Sequence, residues 1–320
     1  SRARVFFSRA STTMVLWALI ALAVYFEKPV IFSSIIVILG VLGLQEFLGM
    51  LNLKKTPAFP IIRLLTILLS TLYLILLNLH LSGVWKIEIS AIDAGFISVY
   101  VILATTVLLF YSIDDFRTKD LFFGSVFGLI YITVLISFLI RILYIDVDLE
   151  DKIGGAYYII FLLIVTKFSD MGAYLVGTLI GKNKMIPHIS PGKTWEGFLF
   201  GCLTFAIGGG AIFYGIFQEK MMRLAWSDVL LLGLILALVA AVGDLAESII
   251  KRSLKTKDSG NILPGIGGIL DLIDSGSRVS FCILDLGASK LNISGDDRTM
   301  FTDMALLSRK LLAAEANACD

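Results

Sequence analysis

The chain has 320 residues, 57% of them hydrophobic and only 17% charged, with a mean hydropathy of +0.89. A soluble domain is roughly 45–50% apolar and about 25% charged, so a soluble globule and a disordered chain are both excluded. A net charge of +1 gives no basis for bulk nucleic-acid binding, and three scattered cysteines and two histidines leave no disulfide framework, zinc cluster or Ser-His-Asp triad.

At about 20 apolar residues per crossing, the runs at 12–26, 30–50, 61–81, 95–113, 121–144, 156–181, 197–217 and 228–250 predict about eight transmembrane helices. The expected fold is an all-α, polytopic integral membrane bundle. The first run is short and follows Arg2, Arg4 and Arg9, as a signal peptide would. Glu27-Lys28-Pro29 stands where a small-residue cleavage site belongs, so the run reads as a span that either tilts little or pairs with the second as a hairpin.

Lysine and arginine set the orientation. With the N-terminus in the cytoplasm, the outside segments hold only Lys28, Lys86, Arg141, Lys152, Lys220 and Arg223. The remaining loop cations fall inside, among them Lys54, Lys55, Lys182, Lys184, Lys251 and Arg252. The same arrangement puts the two most polar loops, 182–196 and 251–275, on one cytoplasmic face. Three regions follow: N-terminal helices over 1–155, a polar-motif region over 156–275, and a polar tail over 276–320 with no span-length apolar run.

The first polar cluster is Ser169-Asp170-Met171-Gly172-Ala173-Tyr174, late in the sixth span. A carboxylate there must be paired, with Lys167 for example, or bind a cation, or face water. Gly177 and Gly181, four apart, predict close helix packing. The second cluster is Ser190-Pro191-Gly192-Lys193-Thr194-Trp195-Glu196-Gly197. Ser190 before Pro191 predicts a helix N-cap, and a helix start beside Lys193 and Thr194 makes a phosphate cradle. A P-loop is rejected: the position that needs glycine is Pro187, and no strand is expected before the run. His80 and His188 read as ordinary histidines.

The third cluster is the densest. Asp244, Glu247, Ser248 and Lys251 share one helix face. Arg252, Lys257, Asp258, Ser259 and Gly260 follow, then Pro264-Gly265, Gly267-Gly268, Asp271 and Asp274. Carboxylates without histidine or cysteine suit a hard cation such as Mg²⁺, and the glycines permit close backbone approach to phosphate.

Read together, these residues resemble the phosphatidate cytidylyltransferase (CDP-diacylglycerol synthase) family. The family's long signature is matched from Ser248 through Lys251-Arg252, Lys257-Asp258, Gly260, Pro264-Gly265 and Gly267-Gly268 to Asp271 and Asp274. The Asp170/Ala173-Tyr174 and Ser190–Gly197 segments resemble its other polar motifs. The similarity covers about 1–275, strongly from about 165. Three departures stand out: Ile266 replaces a histidine, Leu272 replaces an arginine, and a polar tail replaces the family's last helix. Sequence error or gene decay, including a frameshift near 275–285, is one economical explanation.

The resemblance implies that CTP and phosphatidic acid give CDP-diacylglycerol and pyrophosphate at the cytoplasmic face of a bacterial inner (plasma) membrane. It implies Mg²⁺, with room for a second cation, held by Asp244 and Asp271. It implies phosphate contacts from Lys251, Arg252, Lys257 and Lys193, and positioning by Ser190, Thr194 and Asp258. Substrate contacts are also expected at Asp170, Tyr174, Glu196, Glu247, Ser248, Ser259, Gly267, Gly268 and Asp274. The lipid bilayer is a partner, nucleic acid is not, and the glycine faces allow a homodimer. Rival readings are a catalytically impaired member of the family, a polyprenol kinase or archaeal-lipid cytidylyltransferase, and a membrane transporter. The transporter would require inverted or broken-helix repeats, which the sequence lacks.

Overall fold

The computed structural model describes residues 28–85, 89–111, 116–144, 154–187, 190–221 and 224–254, with isolated positions 18, 25, 268 and 270. Seven helices and one hairpin make up these residues. They are α1 (Pro29–Met50), α2 (Phe59–Leu81), α3 (Ile89–Leu108), α4 (Phe116–Gly128, a π-helical stretch Leu129–Val134, then Leu135–Leu143) and α5 (Gly154–Leu179). Then come β1 (Lys184–Ile186), β2 (Ser190–Thr194), α6 (π-helical over Gly197–Cys202, then Leu203–Phe217) and α7 (Trp226–Ser253). Six of the helices are long and apolar enough to cross a membrane, and α3 is apolar over Ile92–Leu108. These match the second to eighth spans expected from the sequence. The first span, at 12–26, lies outside the described residues apart from positions 18 and 25.

Apolar side chains and internally satisfied backbone make the helix the natural solution for each segment. The ends obey local chemistry. Pro29 opens α1, where a missing N–H costs nothing. Asn52 (φ 52°) follows α1 and Gly83 (φ 76°) follows α2, both in the left-handed conformation that closes a helix. At α7 the Asp228 carboxylate accepts the Ala225 N–H at 3.1 Å, and Lys251 and Arg252 sit in the last turn, where the helix dipole favours cations.

The N-terminal helices share a buried polar seam. Arg141 of α4 donates to both Asp93 oxygens at 2.8 and 2.7 Å, and Tyr73 donates to Asp93 at 2.8 Å. Nearby, Ser33 and Tyr144 both donate to the Asn78 side-chain oxygen. Arg141 therefore belongs to the protein interior rather than to the outside loop expected for it. The π-helical stretch of α4 carries Thr133, whose hydroxyl meets that of Ser70 at 2.7 Å.

The C-terminal half is built on α5, which packs on α6, α7 and the end of α4. The α5–α6 crossing is so close that a Cβ at Gly172 or Gly201 would overlap the other residue's carbonyl, and one at Gly197 would come within 2.6 Å of the Ala173 carbonyl oxygen. Gly201→Ala is expected to destabilise the protein by about 1–3 kcal/mol, the usual cost of overpacking. Thermal unfolding in detergent checks it, with Gly208→Ala as the neutral comparison, since a Cβ at Gly208 meets nothing within 4 Å.

Candidate active site

One end of the bundle holds a cavity of about 690 Å³, within the usual range for a small-molecule site. Its wall is assembled from α5, the β1–β2 hairpin, the start of α6 and the C-terminal part of α7. The hairpin is antiparallel, pairing Lys184 with Thr194 and Ile186 with Ser190 across an irregularity. It hangs beside the end of α5, so that segments remote in sequence face one open cavity.

Ser190–Thr194 is a strand, so Ser190 is not the helix cap expected from Ser-Pro, and a strand does precede Gly192. The rejection of a P-loop stands on Pro187, at the position that needs glycine, and on Gly192-Lys193-Thr194 being paired as strand β2. Thr194 is the cap: its hydroxyl oxygen accepts the Gly197 N–H at 3.2 Å. Thr194 is buried against Gly177 and Gly181, where added Cβ atoms would lie 2.9 and 2.6 Å from its hydroxyl oxygen. The i, i+4 glycines thus form the socket that seats the hairpin on α5.

Glu196 fastens the other side. The Asn183 side-chain amide donates to it at 2.7 Å and the Asn183 backbone N–H reaches both its oxygens at 3.2 Å. Trp195 N–H in turn donates to the Asn183 carbonyl at 3.0 Å. Its own backbone N–H, and then Asn183, hold the Glu196 carboxyl below the usual carboxylate range. Glu196 is not part of the cavity wall; its contacts are with the loop that carries β1.

Across the cavity Lys193 Nζ meets Asp244 Oδ2 of α7 at 2.5 Å, with side-chain exposures of 26% and 46%. One turn on, Lys251 Nζ meets Glu247 Oε1 at 2.5 Å. Asp170, Tyr174, Ser190, Lys193, Thr194, Asp244 and Glu247 all line the space, so seven of the expected residues converge. Ser248, Lys251 and Arg252 are on α7 but outside the lining. Gly268 is buried and also outside it. Lys257, Asp258, Ser259, Gly267, Asp271 and Asp274 lie outside the described residues, as do Ile266, Leu272 and the tail.

The cavity also contains residues that sequence reading missed or underused. Lys184 faces it from β1, Lys167 stands one turn from Asp170 on α5, and Ser169 and Cys202 meet at 2.8 Å in its floor. The signal for Lys184 is its cross-strand pairing with Thr194, which could be inferred only once the hairpin was known. Among the described residues the wall thus combines three lysines with carboxylates and no histidine. That donor set suits phosphates and a hard cation. Among the described residues no group of three histidine, cysteine or acidic side chains is close enough to hold a metal ion by itself.

A family model described as "Cytidylyltransferase family" matches residues 7–283. The chain belongs to the cytidylyltransferase family. It is 34% identical over 263 residues to the phosphatidate cytidylyltransferase of Bacillus subtilis (strain 168), covering 82% of this chain and 91% of that protein. It is 34% identical over 268 residues to the protein of the same name from Staphylococcus aureus (strain COL), covering 81% and 92%. The uncharacterized protein YnbB of Escherichia coli (strain K12) is 41% identical over 122 residues, 38% of this chain and 39% of that one. A cytidylyltransferase moves the cytidylyl group of CTP to a second substrate and releases pyrophosphate, and a lysine-lined cavity with carboxylates suits that task.

Proposed function

We propose that this membrane cytidylyltransferase converts CTP and phosphatidic acid to CDP-diacylglycerol and pyrophosphate, for phospholipid synthesis, with its cavity on the cytoplasmic side of a bacterial inner membrane. The observation that carries the reading is the meeting of Lys193 and Asp244 in one cavity, on the motifs whose family members carry that name.

The reaction needs little covalent chemistry from the protein. A lipid phosphate oxygen, already anionic, attacks the α-phosphorus of CTP. A new P–O bond forms, the bond to the β-phosphate oxygen breaks, and pyrophosphate leaves. The protein's work is positioning and charge neutralisation. Lys193 and Lys184 face the cavity from the hairpin and hold the triphosphate. Asp170, Tyr174, Ser190 and Thr194 orient the nucleotide and headgroup. Asp244 and Asp271 are the proposed ligands of Mg²⁺, which neutralises phosphate charge when bound. Lys193 and Asp244 neutralise each other across the cavity. A triphosphate competes for the lysine while a cation competes for the carboxylate, so each makes the other's binding easier. Glu247 is held by Lys251 as a support on the α7 wall. Arg252, Lys257, Asp258, Ser259, Ser248, Gly267, Gly268 and Asp274 complete the proposed polar surface. Apolar side chains of α5 outside the cavity, including Leu175 and Leu179, are exposed, which suits sideways entry of the lipid from the bilayer while CTP enters from water.

The test is CTP-dependent CDP-diacylglycerol formation by the purified chain with phosphatidic acid and Mg²⁺, beside an Ile266→His/Leu272→Arg variant. Product from the unaltered chain is expected, and faster turnover by the variant. Product from the variant alone would mean an impaired member of the family, the second reading that Ile266 and Leu272 favour. No product from either would overturn the proposal.

A further inference from the structure

A buried carboxylate outside the cavity points to how the signature segment is held. Glu46 lies in the last turns of α1, only 7% exposed. A carboxylate so placed is costly unless it receives hydrogen bonds. Its Oε2 accepts the backbone N–H of Leu270 at 3.0 Å, a charge-assisted bond of the stronger kind. Leu270 is itself 3% exposed, with its side chain in the apolar core. It is therefore fixed twice, by its side chain and by its N–H. In sequence it immediately precedes Asp271. Among the described residues the helices α1–α4 contribute nothing to the cavity wall, and this bond joins positions 224 residues apart.

We infer that Glu46 is a positioning residue: its carboxylate anchors to α1 the backbone at Leu270, the residue before Asp271 in sequence, and so supports cytidylyl transfer. Glu46 acts through Leu270 and lies outside the cavity lining. The inference rests on the proposed reaction for its kinetic consequence, but its structural half is read independently. A helix at the start of the chain thereby becomes necessary to a site built from the end of it.

The test compares Glu46→Gln and Glu46→Ala in the full-length chain in detergent or nanodiscs. Hydrogen exchange of peptides containing Leu270 is the first readout. Exchange there should rise several-fold in the Gln variant, whose neutral oxygen still accepts, and about tenfold or more in Ala. Peptides from α5 and α6 should not change. The second readout is kinetic: kcat should fall roughly 10–100-fold in Ala, the scale of losing a supporting contact behind a ligand. KM for CTP should stay within about twofold, and Gln should recover most of kcat. Unchanged Leu270 exchange in a folded variant that removes the acceptor, Glu46→Ala or the better-filling Glu46→Met, would overturn the clamp. So would Gln being as damaging to kcat as Ala, because the carboxylate would then act by its charge. If the parent chain forms no CDP-diacylglycerol while the exchange result holds, the proposed reaction fails and the clamp stands.

Discussion

Asp244→Ala is expected to reduce CDP-diacylglycerol formation by roughly 10³-fold or more, the scale seen when one preorganised electrostatic group is removed from an active site, while the protein keeps its unfolding temperature. The two halves of that expectation have separate physical grounds. Asp244 is 46% exposed and its partner Lys193 is 26% exposed, so their ion pair is partly solvated and contributes little to folding. Nor is Asp244 part of the apolar core of α7, which runs through Val229, Leu232, Leu236, Ala237 and Ala240. Its proposed role is instead to hold the cation beside the phosphates, where no other described carboxylate completes a set of three. Asp244→Asn should be almost as inactive, since it keeps the shape and loses the charge. Turnover measured with labelled CTP, alongside a melting curve, checks both halves. Turnover within tenfold of the parent would remove Asp244 from the metal site.

The spans were legible because a bilayer imposes a length and an apolar composition on each crossing, and seven expected runs coincide with seven helices. The clustering of Asp170, Lys193 and Asp244 was legible as motifs, and the i, i+4 spacing of Gly177 and Gly181 correctly marked a close approach. What those glycines receive was not legible. Strand β2 contains Pro191 and Gly192, residues that ordinarily argue against a strand. It is held there by tertiary contacts: Thr194 in its glycine socket and Glu196 on Asn183. Propensity therefore favoured a helix start four residues too early, at Ser190 rather than Thr194. Lys184 and Glu46 escaped notice for a related reason. Each acquires its place from a partner distant along the chain, and a single sequence carries no mark of that pairing. The π-helical turns at Leu129–Val134 and Gly197–Cys202 were also invisible, since their side-chain pattern differs little from that of an ordinary helix.

Arg141→Met is expected to cost about 3–5 kcal/mol of stability, the usual penalty for leaving one member of a buried ion pair behind. Arg141 and Asp93 have side-chain exposures of 10% and 6%. The bond is bidentate, and Tyr73 adds a third donor to Asp93. Removing the guanidinium leaves the carboxylate with Tyr73 and no compensating charge in an apolar surround, where water cannot easily reach it. Salt should not reproduce the loss, because buried pairs are poorly screened. The double variant Asp93→Leu/Arg141→Met should be milder than Arg141→Met alone, since packed apolar side chains avoid the desolvation penalty altogether. Thermal unfolding of the three proteins in detergent makes the comparison. A single variant as stable as the parent would mean that water reaches Asp93 and that the seam is not dry. Neither residue lines the cavity, so turnover per folded molecule should be retained at temperatures where the single variant is still folded. That separation distinguishes a seam that holds the N-terminal helices together from a seam that takes part in the chemistry.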